Sequence, residues 1–266
     1  MKIFISVISH GHFSVIQDIG VIPELANMDD VTILVRDNIG DKGLREFCDE
    51  NKILYVENSS QFGFAKNNNL NFHWFSRHFS VSDDDLFLIL NPDFFISTDD
   101  LRIFQEFVSA SSFQLTSILQ YSNEDKSTIE PSARMFEGPL ALILERFFIG
   151  RKTLVPNQGI NTSFDWVSGA FIGVSFSLYS DVGGFCEDYF MYYEDADFCL
   201  KCKKAGHELT INTDVSGIHY AQYANRKIFS KLFFMSVKSY TRFLIRLLGY
   251  KIATTFKYFL SRWDRS

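Results

Sequence analysis

Two carboxylates about a hundred residues apart stand where chemistry could be done. Asp93 ends Leu90-Asn91-Pro92-Asp93, just past an apolar run, and Asp195 lies in Glu194-Asp195-Ala196-Asp197. A lone carboxylate at the end of a buried strand suits Mg2+ or Mn2+ bound to a diphosphate. Such hard ions take few protein oxygens and fill the remaining positions from phosphate and water. A second carboxylate, delivered from elsewhere in the chain, suits a general base. The bulky lead-in Phe190-Met191-Tyr192-Tyr193 would wall an acceptor and poise that base to take a proton from an alcohol. His219 ends a β-like run and is a further candidate for the metal or the diphosphate. Singly, each has a structural reading too. Pro-Asp turns cap backbone, acids gather at helix starts, and one His is more often a satisfied structural residue.

The elements that must position these residues follow from hydrophobic periodicity. Ile3–Ile8, Val31–Val35, Ile53–Val56 and Leu86–Leu90 read as buried strands, with helices over Val15–Ala26, Lys42–Asn51 and Ala65–Phe79 between them. This alternation predicts an α/β fold: a Rossmann-like, mostly parallel central sheet with helices on both faces. In such sheets ligands sit beyond the carboxyl ends of the strands, where Ser9-His10, Asp37-Asn38 and Asp93 fall. Further on, Thr98 caps a helix to about Val108, Phe113–Leu119 is a strand, 121–135 a polar loop or hairpin, and Pro139–Phe148 a helix. Residues 150–165 form a connection, Val167–Phe176 a strand, Gly183-Gly184 a tight turn and Glu194–Ala205 a helix. Two short strands follow, near Leu209–Ile211 and Val215–His219. Gly63-Phe64-Ala65 with Asn67-Asn68-Asn69 offers amides either to a nucleotide or sugar, or to helix capping. Its spacing is neither a P-loop nor a dinucleotide fingerprint.

Charge is unevenly divided. From Arg226 onward ten basic residues face one acid, Asp264, a net of +9, while the body carries 16 basic and 31 acidic residues, a net of −15. Lys227, Lys231, Lys238, Arg242 and Arg246 recur at helical spacing, with Leu232, Phe233, Tyr240, Phe243, Leu244, Leu247 and Leu248 opposite them. That is a basic amphipathic helix, either lying in an anionic membrane interface or packed on the body with its basic face in water. Residues 1–225 therefore read as the catalytic domain and 226–266 as an appendage. The four cysteines form no disulfide framework, and Cys199-x-x-Cys202 reads as buried packing rather than a zinc site. The start of the chain lacks the pattern of a secretory signal, and the longest uncharged run, Trp166 to Ser180, is too short to span a bilayer comfortably. The expectation is therefore a cytosolic protein, peripheral on a membrane, and no nucleic-acid partner is expected.

In order along the chain, these segments resemble glycosyltransferase family 2, of the GT-A fold, over about residues 3 to 225. The resemblance is carried by Val7-Ile8-Ser9-His10, Val35-Arg36-Asp37-Asn38, Gly63 to Asn69, Leu90 to Asp93, Val167 to Phe171, Val182 to Phe185, Phe190 to Leu200, and His219. Within the family the chain is most similar to bacterial O-antigen rhamnosyltransferases, which act on a polyprenyl-diphosphate-linked N-acetylglucosamine. Ser9-His10-Gly11-His12, Val35-Arg36-Asp37-Asn38 and His219-Tyr220-Ala221, with the aromatic basic tail, point to that group. The resemblance implies that Asp195 is the catalytic base, and that Ser9, Asp37, Asn38, Asn69, Asn91 and Asp93 meet the donor. It further implies that Trp166, Gly169, Tyr193 and Glu194 meet the acceptor, and that Asp93 and His219 hold Mg2+ or Mn2+. Asn91 stands where the family's metal motif has its first acid. The expected partners are a nucleotide sugar such as dTDP-L-rhamnose, a lipid-linked sugar, and the inner-leaflet membrane surface. UDP-galactofuranose, UDP-N-acetylglucosamine and UDP-glucose are alternative donors, and a non-catalytic nucleotide-sugar binder is the alternative class. A nucleotidyltransferase would need a glycine- and basic-rich loop that residues 8 to 14 lack.

Overall fold

The computed structural model describes residues 1–111, 114–136, 164–220 and 231–263, with side chains in the last segment from 234 to 255. Its centre is an eight-stranded sheet in the order β3-β2-β1-β4-β9-β6-β10-β5. The strands are β1 (Ile3–Ser9), β2 (Val31–Asp37), β3 (Leu54–Glu57), β4 (Leu86–Leu90), β5 (Phe94–Phe95), β6 (Leu115–Tyr121), β9 (Phe171–Ser175) and β10 (Thr210–His219). A two-stranded ribbon pairs β7 (Ala133–Arg134) with β8 (Trp166–Val167). All the strands of the main sheet run parallel except β9 and β5.

Alternation along each strand divides the core. Ile3, Ile5 and Val7 of β1 and Leu86, Leu88 and Leu90 of β4 point to one face. There they meet α1 (Phe13–Ile19), α2 (Val21–Ala26), α3 (Lys42–Glu50) and α5 (Thr98–Ala110). Phe4, Phe87 and Ile89 point to the other, against Phe72 and Phe75 of α4 (Phe64–His78), Tyr179 of α6 (Phe176–Asp181) and Phe198 of α7 (Glu194–Lys204). Helices cover both faces, so every residue of β1 and β4 is buried. That double burial is why β4 reads as an unbroken apolar run and β1 as one interrupted only by Ser6, whose hydroxyl donates to Asn68 Oδ1, before its last residue Ser9.

Several expectations need correction. The helix expected over Val15–Ala26 is two helices, because Gly20 takes φ 69° and breaks the ladder. Ser97, not Thr98, caps α5, accepting from Asp100 N. The strand expected over Val167–Phe176 is β8 and β9 in separate sheets, and β9 runs antiparallel. The two short strands expected before His219 are one, β10, with a register shift between Asn212 and Ser216. The helix expected over Pro139–Phe148 and nearly all of the 150–165 connection lie outside the described residues.

The basic amphipathic helix exists as α8 (Lys231–Trp263), but its faces are not divided as expected. Phe243 and Leu247 pack on Ala196 and Leu200 of α7. Arg246, expected on the solvated side, turns to the body instead: its Nε lies 2.7 Å from Oδ1 of the fully buried Asp197. Ser239 Oγ donates to Met191 O, and Arg242 donates to Asp188 O. Val237, Ile245, Leu248 and Ile252 are exposed on the far side. Among the described residues no helix is long and apolar enough to cross a membrane.

Breaking the Arg246–Asp197 pair leaves a buried carboxylate without its cation. Because Arg246 is about a third exposed, we expect Arg246→Met to destabilise the protein by ~2 kcal/mol, below the ~3–5 of a fully buried pair. The loss should shrink at acid pH, where Asp197 is protonated and needs no cation. Urea unfolding at neutral and acid pH checks both; equal loss at the two pH values would contradict the pairing.

Candidate active site

The carboxyl ends of β1, β2 and β4 open onto a cleft of about 450 Å3, within the ~300–1,000 Å3 range of small-molecule sites. Ile8, His10, His12 and Asn38 line it from β1, β2 and the loops after them. Gly63, Phe64 and Asn67 come from the start of α4, and Asn91, Pro92 and Asp93 from the turn after β4. Ser168 to Ala170, Phe190 to Tyr192, Glu194, Asp195 and His219 complete the wall.

Register brings the metal candidates together. The antiparallel pair β5–β10 sets His219 opposite Phe94, one residue past Asp93, and Tyr220 N donates to Asp93 O. His219 Nε2 is then 3.3 Å from Asp93 Oδ1 and 3.4 Å from Asn91 Nδ2. Nδ1 lies 2.9 Å from Glu130 Oε2. Burial alone would lower the His219 pKa, but its contacts with Asp93 and Glu130 carry it up to about 9. Burial works against Asp93 as well, yet its hydrogen bond to His219 leaves its pKa below the ordinary value. His12 also stands in the field of Asp93, and burial lowers its pKa.

A divalent ion fits this pair. Adjacent ligands of an octahedral ion with ~2.1 Å bonds lie ~3 Å apart, close to the Asp93–His219 separation. Among the described residues no group of three or more His, Cys, Asp or Glu is arranged to hold a metal. Two protein ligands suffice where a diphosphate supplies others.

Across the cleft, the carboxylates of α7 are set by a tight backbone. Tyr192 and Tyr193 both take positive φ, 71° and 66°, which turns the chain into the helix start. Positive φ is strained for a bulky side chain. Tyr193 stacks on Phe243 of α8, which supports that turn. Asp195 Oδ2 accepts from Gly169 N at 3.1 Å and Oδ1 from Ala196 N at 2.8 Å. Burial raises Asp195 above the usual aspartate value, and those two N–H groups oppose the rise. Glu194 is different. Its Oε2 is buried without a hydrogen-bond partner, and burial with the charge of Asp195 pushes its pKa up to about 8. The negative charge of the pair thus rests on Asp195, and Glu194 keeps its proton near neutrality.

Of the residues expected at the site, Asn38, Asn91, Asp93, Gly169, Glu194, Asp195 and His219 line the cleft. Ser9, Asp37, Asn69, Trp166 and Tyr193 do not. Asp37 accepts from Ile39 N, Asp41 N and Tyr55 Oη, so both its oxygens hold the loop after β2. Ser9 Oγ accepts from His12 N. Asn69 faces the interior, taking Tyr179 Oη and Phe185 N on its oxygen. Trp166 donates to Met135 O and lies under Arg134. His10, placed at the ligand edge from the sequence, lines the cleft, as does His12, which was read only as part of a motif. Glu130 sits in a polar segment that carries no pattern pointing to a site.

No family model matches the chain. It is 34% identical to rhamnosyltransferase WbbL of Escherichia coli (strain K12) over 249 residues, covering 92% of this chain and 93% of that protein. The chain belongs to glycosyltransferase family 2. It is an enzyme of the GT-A fold that transfers sugars. At 23% identity it also matches the low-salt glycan biosynthesis hexosyltransferase Agl10 of Haloferax volcanii, covering 81% of this chain and 66% of that one. In fold it is similar to the mannosyltransferase PcManGT of Pyrobaculum calidifontis, solved with GDP-mannose and Mn2+. The TM-score is 0.58 at 13% identity, covering 84% of this chain and 58% of that one, so the chain spans less than two thirds of that solved enzyme.

Two variants test the division of labour in the acidic pair. Asp195→Asn should lower kcat by ~10²–10⁴ with an unchanged melting temperature, while Glu194→Gln, which mimics a neutral carboxyl, should lose far less. The acid limb of kcat/KM should lie above the ordinary aspartate value and stay in place in Glu194→Gln, since Glu194 is already neutral there. Comparable loss in both variants would contradict the assignment.

Proposed function

We propose that this glycosyltransferase inverts configuration and moves L-rhamnose from dTDP-L-rhamnose to a polyprenyl-diphosphate-linked N-acetylglucosamine, in O-antigen or related cell-surface polysaccharide assembly. The observation that carries this reading is the similarity to a named rhamnosyltransferase along nearly the whole chain. The cleft supports it by setting one poised base against an Asp–His pair suited to a diphosphate-bound ion.

Asp195 takes the proton of the acceptor hydroxyl as that oxygen attacks the anomeric carbon from the face opposite the nucleotide. Its own oxygens stay held by Gly169 and Ala196 N–H, so the carboxylate is oriented before the substrate arrives. Glu194, protonated, donates to a sugar oxygen. Asp93 and His219 hold Mg2+ or Mn2+, with Asn91 beside them. When bound, the ion supplies neutralisation of charge on the leaving diphosphate. No second carboxylate serves as nucleophile, so one displacement inverts the anomeric centre.

Residues 1–225 form the catalytic domain in this reading, and 226–266 bring it to the cytoplasmic face of the bacterial inner membrane. Basic charge on the segment suits anionic lipid. The exposed Val237, Ile245, Leu248 and Ile252, flanked by the exposed Lys238 and Lys251, form the face that meets it. This places the membrane-facing side opposite to Phe243 and Leu247.

The transfer is tested by mass spectrometry with Mg2+, a synthetic diphospholipid-linked N-acetylglucosamine and a panel of nucleotide sugars. A gain of one deoxyhexose from dTDP-L-rhamnose alone is expected. A gain only from a UDP-sugar would discard rhamnose. For the membrane face, Ile245→Glu with Leu248→Glu should abolish flotation with anionic vesicles and leave the melting temperature unchanged, since both side chains are exposed. Flotation equal to wild type would remove α8 from the account.

A further inference from the structure

We propose that Glu130 is a positioning residue for metal binding: its carboxylate fixes the tautomer and plane of His219, so that Nε2 is presented to the ion shared with Asp93. This rests on the reading that Asp93 and His219 hold the ion.

Both oxygens of Glu130 lie within hydrogen-bond distance of one ring nitrogen, at 3.0 and 2.9 Å from His219 Nδ1. The two side chains are only 11% and 12% exposed, so water competes little for the contact. A carboxylate accepts but does not donate, so Nδ1 keeps its hydrogen on Glu130, and Nε2, which donates to Asp93 while no ion is bound, is the nitrogen that releases its proton to the solvent and serves as ligand when the ion enters. Nε2 is also the atom that faces Asp93 and Asn91. The backbone around Glu130 is held as firmly as its side chain. Glu130 N donates to Gln120 O, and Ser132 N donates to Glu130 O. Tyr121 bridges to Ile129 and pairs with Ile218, the neighbour of His219. Strand β6 therefore carries Glu130 to the ring at the end of β10. The tilted face of Phe94, 6.0 Å from the ring centre, supports the imidazole from one side. Metal-bound histidines commonly give their second nitrogen to a carboxylate, and losing that partner typically costs ~10–100-fold in metal affinity.

Mn2+ affinity of the full chain is measured in the presence of dTDP, by the electron paramagnetic resonance signal of free Mn2+. Glu130→Ala should weaken Mn2+ ~10–100-fold. Glu130→Gln keeps an acceptor for Nδ1–H and should stay close to wild type, a rescue that a merely structural role would not give. Melting in EDTA verifies the fold, and if the Ala variant does not fold, Glu130→Ser, too short to reach the ring, takes its place. Wild-type affinity in the Ala or Ser variant would overturn the proposal, as would equal loss in Glu130→Gln. Asp93→Asn and His219→Ala separate the two readings. If they weaken Mn2+ and Glu130→Ala does not, only the role of Glu130 fails; if neither changes the affinity, the metal assignment itself fails.

Discussion

A carboxylate taken out of water must be answered by a cation, by hydrogen-bond donors or by a proton. This chain gathers five carboxylates at or behind its cleft and answers them in four ways. Asp93 and Glu130 share His219. Asp195 has two backbone N–H groups. Asp197 has Arg246, delivered from α8. Glu194 has no partner on its buried oxygen and so keeps its proton. The differences in answer match the roles proposed: the carboxylate served by fixed dipoles is the proposed base, and the one left alone keeps its proton.

The sheet makes this gathering possible. Parallel strands deliver their following loops to one edge, so Ile8, Asn38 and Asp93 converge although they lie far apart in the chain. The β5–β10 pair then folds His219 back onto that edge from the other end of the catalytic region. Gly63 and Phe190 close the side of the cleft by direct approach: Phe64 N donates to Phe190 O, and a Cβ on Gly63 would strike the Phe190 backbone. Behind that wall, α8 grips the same segment through Ser239, Arg242 and the Tyr193–Phe243 stack. The helix proposed to touch lipid thus also braces the turn that aims Asp195.

The sheet was legible because its strands are buried on both faces. Leu86–Leu90 is an unbroken apolar run and the first strand is apolar but for its serines, and the Asn-Pro-Asp turn after Leu90 marked the ligand edge. Strand direction was not legible, since an apolar run reads the same either way, and β9 runs against its neighbours. Asp93, Asp195 and His219 stood out in the sequence because motifs surround them, and all three line the cleft. Asn69 and Asp37 were read as donor contacts from motif position, but their oxygens serve the interior and a loop. Composition cannot tell an amide facing a ligand from one facing a tyrosine. Glu130 had no motif at all; only the pairing of β6 with β10 explains its place. In α8, helical spacing gave the right element and the wrong division of faces, because an arginine that answers a buried aspartate looks like a surface arginine in sequence.

The central claim is that one carboxylate of the adjacent pair is charged and the other protonated. Carbon-13 NMR of the side-chain carboxyls, assigned with Glu194→Gln and Asp195→Asn, reads this directly across a pH titration. The account predicts an ionised Asp195 at neutral pH and a Glu194 that titrates well above the usual glutamate range. A charged Glu194 beside a protonated Asp195 at neutral pH would contradict it.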